Sequence, residues 1–254
     1  SEALKAFQPT LRDIPQNEEL EIDFSEVLTL SPSWSDEFLS PLLNILGDRL
    51  VLLPSDNLSV QATLTDADDI SHYVKALNYG LNRLKEEKFP FVLHFIRELH
   101  KELMLGARQT HFSDPGEFRK TQNFIGGTRP DNASFVPPAP LELDAPLKDF
   151  ENFIHKPFIH PIIDAGFLHA QFETIHPFLD GNGRVGRLLI TFYLIHHKYL
   201  DLPVLFLSSY FKKHQKVYYQ RLNEYHNGDV VPWLEFFVDA VYVHKEYLKI
   251  FTDK

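Results

Sequence analysis

The most informative run of residues is His176-Pro-Phe-Leu-Asp-Gly-Asn-Gly-Arg-Val-Gly-Arg187, in the second half of the chain. After it, apolar residues recur every three or four positions and predict a helix that starts near Gly183. Before it, the pattern predicts a helix that Pro161 opens and that ends near Ile175, because Pro177 disfavours helical geometry at the preceding residue. The stretch is therefore predicted to be a loop between two consecutive helices.

The composition of this loop is that of an anion-binding site. Gly181, Asn182 and Gly183 stand at the start of a predicted helix, where backbone N–H groups are uncovered and small residues let an anion approach. Arg184 and Arg187 are three positions apart, so both project from the same side of the first turns. Their positive charge opposes the helix dipole unless an anion is bound. The sequence therefore predicts a site for a phosphate or polyphosphate.

Two other side chains of the loop suit phosphate chemistry. Asp180 is a hard oxygen ligand of the kind that Mg²⁺ shares with substrate phosphates. His176, with an ordinary pKa near ~6.5, is the natural general base for a hydroxyl nucleophile. Taken singly, a His beside a Pro, an Arg pair or an Asp-Gly-Asn-Gly turn is most often structural. Their combination within one short loop favours the functional interpretation.

Two other motif interpretations of the loop fail on context. Gly181-x-Gly183-x-x-Gly186 matches the dinucleotide fingerprint, with Asp201 at the expected distance, but that motif must directly follow a β-strand. A calcium loop starting at Asp180 would place Val185 where glycine is required.

The rest of the chain is predicted to be largely helical. A segment at residues 106–140 differs, because glycines and prolines exclude a long helix and short extended runs on either side of Gly126-Gly127 predict a hairpin. Residues 1–33 are acidic and rich in turn residues, and are expected to form an arm. The remaining predicted helices cover residues 34–53, 65–84, 89–105, 147–155, 209–226 and 232–251.

Composition excludes several classes of protein. The 254 residues carry 25 Lys and Arg against 35 Asp and Glu, a formal charge of −10, which argues against a protein that coats nucleic acid. The absence of Cys excludes disulfides, Cys zinc sites and a thiol nucleophile. Because no charge-free apolar run approaches about 18 residues and no signal layout is present, we expect a cytoplasmic protein with no membrane or nucleic-acid partner.

The loop resembles the signature of the Fic family, His-Pro-Phe-x-(Asp/Glu)-Gly-Asn-Gly-Arg-x-x-Arg, and matches every defined position. The resemblance to Fic proteins of the bacterial class extends over about residues 60 to 240. It includes the run Gln61-Ala-Thr-Leu64, the run Pro115 to Gly127, the run His169 to Ile175 and the run Leu207 to His214. It implies an all-α helical bundle, with an arm and helical region at residues 1–60 and the catalytic domain at 61–254.

The resemblance also implies an activity: transfer of AMP from ATP to a Ser, Thr or Tyr hydroxyl of a target protein. His176 would deprotonate the hydroxyl, and Asp180 would hold Mg²⁺ between the α- and β-phosphates. The remaining implied ATP-binding residues of the signature are Gly181, Asn182, Gly183, Arg184, Gly186 and Arg187. The glycines and Asn182 would orient the α-phosphate, and the arginines would bind the β- and γ-phosphates.

Outside the signature, the resemblance implies a flap, residues 116–136, that aligns the target peptide by strand addition. Its docking residues would be Thr121, Phe124, Gly126, Gly127 and Thr128. On the adenine side, the similar segment contains Tyr218, Tyr219 and Asn227, although two tyrosines on a Phe-rich helix are most often core or rim residues. The family often forms dimers, so the resemblance makes a homodimer a candidate assembly.

One departure from the family pattern concerns autoinhibition. Many relatives carry a helix with Ser/Thr-x-x-x-Glu-Gly/Asn before the Gln-Ala-Thr-Leu run, and here residues 54–60 contain no Glu. Three alternative functions stay open: transfer of UMP, of phosphate or of phosphocholine by the same scaffold. Gly183 argues against the phosphorylating branch, where Lys commonly replaces it. A catalytically idle peptide-binding module is a further alternative.

Overall fold

The computed structural model describes residues 18–23, 42, 46, 49–53, 72–86, 89–105, 114–156, 158–200 and 207–252, with the backbone alone for 52, 209 and 244–252. The chain forms two compact units. One consists of Ser1–Asn78 with Leu105–Arg108, and the other of Tyr79–Met104 with Gln109–Lys254. The predicted domain boundary at residue 60 lies outside the described residues, as do the Gln61-Ala-Thr-Leu64 run and residues 54–60.

The first unit contains a short parallel sheet. Strand β1, Leu20–Ile22, pairs with strand β2, Leu50–Leu52. The prediction of one helix over residues 34–53 is therefore wrong at its C-terminal end. Leu42 and Leu46 are helical and buried, four positions apart as the helical pattern requires, whereas residues 50–53 are four consecutive apolar residues without helical spacing.

The second unit is helical, which confirms the predicted all-α class. A 3₁₀ turn at Pro140–Glu142 precedes the helix Asp144–His155 of this unit. Residues 72–84 are also helical, and of these 79–84 belong to this unit. Within the described part of the chain, no helix is both long enough and apolar enough to cross a membrane. The helices are α1 Leu93–Met104, α2 Asp144–His155, α3 Pro161–Ile175, α4 Asn182–His196, α5 Ser208–Lys213, α6 Gln215–His226 and α7 Val231–Thr252.

Helix α3 is the centre of the second unit. It packs against α2, α4, α6 and α7, and most of its residues are buried. Its start is set by the ring of His160, which accepts a hydrogen bond from the backbone of Ile162, and by Pro161 in the first turn. The carboxylate of Asp164 accepts two more backbone N–H groups from residues 158 and 159. The central helix therefore has a fixed start, and its other end faces α4.

The prediction of one helix over residues 209–226 is wrong, because the chain breaks at His214 between α5 and α6. Phe211 and Tyr218 are seven positions apart, which on one continuous helix would separate them by about 10 Å. Across the break their rings stack with centroids 4.9 Å apart, over the buried Trp233. Aromatic packing therefore outweighs local helical preference at this point.

Candidate active site

The loop between α3 and α4 is held in shape by two left-handed residues and one amide. His176 has φ 48° and Gly181 has φ 77°, so the chain turns sharply at both ends of the loop. The buried side chain of Asn182 accepts a hydrogen bond from the backbone N–H of Phe178 at 2.9 Å and donates to its carbonyl at 2.7 Å. The side-chain amide of Asn182 therefore holds the loop in shape. The backbone of the first turn of α4 is left to face a ligand.

A buried histidine fixes the loop from below. The Nδ1 of His100 accepts a hydrogen bond from Gly116, so its proton is on Nε2, which donates to the carbonyl of Asp180 at 3.1 Å. Its ring stacks on Phe178 with centroids 3.8 Å apart. Burial lowers the pKa of His100 to about 4, so the ring stays neutral and supports the loop.

His176 lies at the C-terminal end of α3 in a desolvated position. Its Nδ1 lies 3.3 Å from the carbonyl oxygen of Glu173, which can only accept, so the proton belongs on Nδ1 and the lone pair on Nε2. Burial lowers the pKa of His176 to about 4, and the positive charge of Arg119 acts in the same direction. The imidazole is therefore neutral near pH 7, the form that a general base requires.

The first turn of α4 carries the predicted cationic side chains. Arg184 Nη2 lies 3.9 Å from Oδ2 of Asp180 and 3.5 Å from the sulfur of Met104. Arg187 reaches back along the helix, so a Cβ on Gly183 would lie 3.2 Å from its Nη1. Both guanidinium groups therefore lie beside the helix N-terminus, where a helix binds anions.

Beneath this turn lies a layer of buried polar side chains. A Cβ on Gly186 would lie 2.9 Å from Oε1 of Glu173 and 3.1 Å from Nδ1 of His169. Burial raises the pKa of Glu173 to about 7, while the charge of Arg187 opposes that shift. Three buried atoms have no hydrogen-bond partner among the described residues: Oε1 of Glu173, Nδ1 of His169 and Nε of Arg187. Gly186 therefore has a packing role, since a larger residue would displace buried polar groups.

The environment of Asp180 fits one kind of metal site. Its carboxylate is 44% exposed, and one oxygen accepts the N–H of Gly181 at 2.6 Å. The described ranges contain no group of three or more His, Cys, Asp or Glu side chains that could hold a metal ion. A single protein carboxylate suits Mg²⁺ shared with substrate phosphates, and does not suit an all-protein cage.

The predicted hairpin is present above the loop. Its strands meet at one antiparallel bridge, where Ile125 N donates to the Phe135 carbonyl at 3.0 Å. At the tip, Asn132 Oδ1 accepts the backbone N–H groups of Thr128 and Arg129. The predicted docking residues all lie on the first strand and the turn, where Thr121, Gly126 and Thr128 are exposed and Phe124 and Gly127 are half-buried.

The three adenine-side residues lie in different environments. Tyr218 is buried, and its hydroxyl lies 3.0 Å from Nε2 of His169. Tyr219 is 55% exposed, and Asn227 follows the last residue of α6 and donates to the Asn223 carbonyl at 2.8 Å. The structure thus places Tyr218 in the core and the other two near the surface.

Three residues near His176 were not predicted from the sequence. Glu173 contributes its carbonyl and a carboxylate oxygen 3.7 Å from Nδ1, and Arg119 donates to the His176 carbonyl. His226, whose ring stacks on Phe135 of the flap at 3.7 Å, also acts on the pKa of His176. Only Glu173 had a local sequence signal: it stands three positions before His176, and residues i and i+3 share a helix face.

The chain is similar in sequence to known proteins. Residues 90–194 match the model of the Fic/DOC family. The chain is 28% identical over 209 residues to proteins named protein adenylyltransferase Fic from Drosophila persimilis and Drosophila virilis, covering 78% of this chain. It spans 37% and 39% of the length of those two relatives.

Solved structures support the fold. A Fic family protein from Desulfovibrio desulfuricans G20 has a TM-score of 0.64 at 20% identity, over 98% of this chain and 69% of that one. Fic-1 (residues 134–508) from C. elegans has a TM-score of 0.62 at 21% identity, over 90% and 60%. The predicted resemblance to the Fic family is confirmed at this level: residues 90–194 match the Fic/DOC family model, and the solved structures with the same fold are Fic proteins.

Proposed function

We propose that this chain is a protein adenylyltransferase that transfers AMP from ATP to a Ser, Thr or Tyr hydroxyl of a target protein and releases pyrophosphate. One observation carries the proposal: a neutral, desolvated His176 lies across a short loop from a helix N-terminus flanked by two arginines. A base for a hydroxyl and a site for a polyphosphate are thereby present in one place. The names of the curated relatives point to the same reaction.

The reaction follows from these positions. Nε2 of His176 accepts the hydroxyl proton as the hydroxyl oxygen bonds to the α-phosphorus. The bond from that phosphorus to the oxygen shared with the β-phosphate breaks, and its electron pair leaves with pyrophosphate. Arg184 and Arg187 hold the β- and γ-phosphates, so they stabilise the negative charge that grows on the leaving group. The N–H groups of Asn182 and Gly183, in the first turn of α4, would orient the α-phosphate for in-line attack.

Asp180 would hold Mg²⁺ together with the substrate phosphates. When bound, the ion would neutralise charge on the α- and β-phosphates. The partial exposure of Asp180 and the nearby Arg184 fit this shared arrangement.

The flap would hold the target segment. It has a single ladder bridge, so backbone groups on both sides of Ile125 are free of ladder partners within the described hairpin. An extended peptide that adds to such a strand is recognised mainly by its backbone. We therefore propose a target defined by an accessible hydroxyl in an extended segment more than by neighbouring side chains.

The test uses two labelled forms of ATP in parallel. The purified chain is incubated with Mg²⁺, a cell extract as acceptor, and ATP labelled at either the α- or the γ-phosphate. Retention of the α-label alone on protein, with an adduct of about 329 Da (the mass of a transferred AMP), supports adenylyl transfer. His176→Ala is the matched control: it should remove transfer and leave MgATP affinity nearly unchanged, because the base does not hold the phosphates.

Other results decide between the alternatives. Retention of the γ-label alone would identify a kinase and overturn the proposal. Retention of neither label, with MgATP bound and a range of extracts tried, would favour an idle peptide-binding module. The parallel experiment with α-labelled UTP distinguishes transfer of UMP.

A further inference from the structure

Arg119 differs from the other cationic side chains of the described chain. It lies on the first strand of the flap, and with 3% of its surface exposed it is the one buried lysine or arginine among the described residues. No carboxylate of those residues pairs with it at salt-bridge distance. A buried cation without an anionic partner is costly, so its hydrogen bonds must compensate.

All the side-chain partners of Arg119 are backbone carbonyls. Nε donates to the carbonyl of His176 at 2.9 Å, and Nη2 donates to the carbonyl of Pro138 and, at 3.5 Å, to that of Ile175. The backbone N–H of Arg119 donates to the carbonyl of Pro177 at 2.8 Å. One residue therefore joins three consecutive residues at the end of α3 to the chain on both sides of the flap.

This placement satisfies an electrostatic need of α3. The last carbonyls of a helix lack intrahelical partners and carry the negative end of the dipole, so a buried guanidinium is stabilised there. His176 is also held in a left-handed conformation, which is strained for a residue other than glycine. A rigid fork that binds both sides of this turn can hold it in place.

The charge of Arg119 acts on the base as well. Four groups besides burial face His176: Arg119 and His226 lower its pKa, whereas Asp180 and the carbonyl of Glu173 raise it. The carboxylate of Glu173, 3.7 Å from Nδ1, is the fifth nearby group. Arg119 thus combines two effects, one on the geometry of the base and one on its protonation.

We propose that Arg119 is a positioning residue for His176: its guanidinium fixes the left-handed turn that carries the base and couples that turn to both ends of the flap. The part of this proposal that concerns transfer rests on the proposed function. The part that concerns the geometry and protonation of His176 does not.

Two substitutions separate the planar hydrogen-bonding geometry of the Arg119 guanidinium from its positive charge. Arg119→Lys keeps the charge but replaces the planar fork with a single ammonium, and Arg119→Gln removes the charge. Arg97→Gln is the matched control, because Arg97 also donates to a backbone carbonyl of this segment, that of Gly116, but is only half-buried and pairs with the carboxylate of Glu117. For each variant we would measure MgATP affinity, the rate of AMP transfer at saturating ATP, and the titration of the His176 ring by NMR with ¹³C-labelled histidine.

The expected results differ between the variants. Arg119→Gln should lower the transfer rate at least tenfold, leave the dissociation constant of MgATP within twofold, and raise the titration midpoint of His176. Arg119→Lys should also lose rate but keep the midpoint. Arg97→Gln should match the wild type in all three measurements.

Three results would overturn the proposal. If folded Arg119→Gln keeps both the wild-type rate and the wild-type midpoint, and differs only in melting temperature, the residue serves packing alone. If Arg119→Gln does not fold, Arg119→Lys is tested instead, and a wild-type transfer rate in that variant overturns the proposal. If the wild type transfers no AMP, the proposed function fails, and the ring titration still decides the role of Arg119: an unchanged midpoint in Arg119→Gln overturns it.

Discussion

The substitution Gly183→Ala separates two requirements on the first turn of α4, which are the stability of the fold and the binding of an anion. A Cβ at this position would lie 3.2 Å from Nη1 of Arg187 and 3.8 Å from Oε1 of Glu173. The closer atom is the far end of a flexible side chain, which can give way by a few tenths of an ångström. The fold therefore tolerates the methyl group, whereas the anion site loses the alignment of its arginine.

The magnitudes predict opposite effects on stability and on binding. Alanine is favoured over glycine by up to about 1 kcal/mol inside a helix, so we expect the free energy of unfolding to stay constant or to rise slightly. A hydrogen bond to a charged group contributes about 1.5–3 kcal/mol, so moving Arg187 away from a phosphate should weaken MgATP binding by about 10- to 150-fold.

The assay is calorimetric titration of MgATP together with urea unfolding of the same samples. Gly228→Ala is the control: this glycine has φ 93° and no atom within 4 Å of an added Cβ, so the substitution should cost stability through strain and leave MgATP binding unchanged. If Gly183→Ala binds MgATP within twofold of the wild type, the space in front of Gly183 does not hold the nucleotide phosphates, and the reasoning about Arg187 is refuted.

Three further predictions concern packing, protonation and the flap. Gly80→Ala should lower the free energy of unfolding by about 1–3 kcal/mol in urea, because its Cβ would overlap the buried ring of Phe192, and adding Phe192→Leu should recover part of the loss; additive effects would contradict this. By NMR the ring of His176 should titrate near pH 4. As the pH falls below the ordinary value of ~6.5, the unfolded chain binds a proton at this histidine and the folded chain does not, so the free energy of unfolding should decrease. A midpoint above about 6 would show that the ring is hydrated. Phe135→Ala removes the stack on His226 and should speed proteolytic cleavage within residues 121–136 severalfold with little change in melting temperature, whereas unchanged cleavage would mean that the stack does not hold the flap.

The sequence predicts the helix boundaries around the loop well, because local chemistry determines the backbone there. Pro161 and Pro177 delimit α3, and the loop glycines place the start of α4 within one residue of the predicted position. The end of the predicted helix at residues 50–53 was wrong because strand β2 depends on pairing with a segment thirty residues earlier. Local periodicity carries no information about such a distant partner.

The supporting residues of the site show the same limit more clearly. Arg119 acts on a carbonyl 57 positions away, and His100 acts on one 80 positions away. Their partners are backbone atoms, which every residue has, so no complementary side chain in the sequence marks the contact. Side-chain chemistry was predictable from the loop, and the residues that hold the loop were not.

Under the proposed function, the charges around His176 would let an acidic chain bind an anionic substrate and still use a histidine as a base. The positive charge is local: two arginines and a helix N-terminus face the substrate side of the loop, and Arg119 lies behind it. In the free site, burial and Arg119 keep the ring neutral, but a pKa near 4 makes it a weak base. Under the proposed function, bound phosphates add negative charge near the ring, and an opposite charge favours the protonated form. The nucleotide would therefore raise the basicity of His176 when the target hydroxyl is to lose its proton.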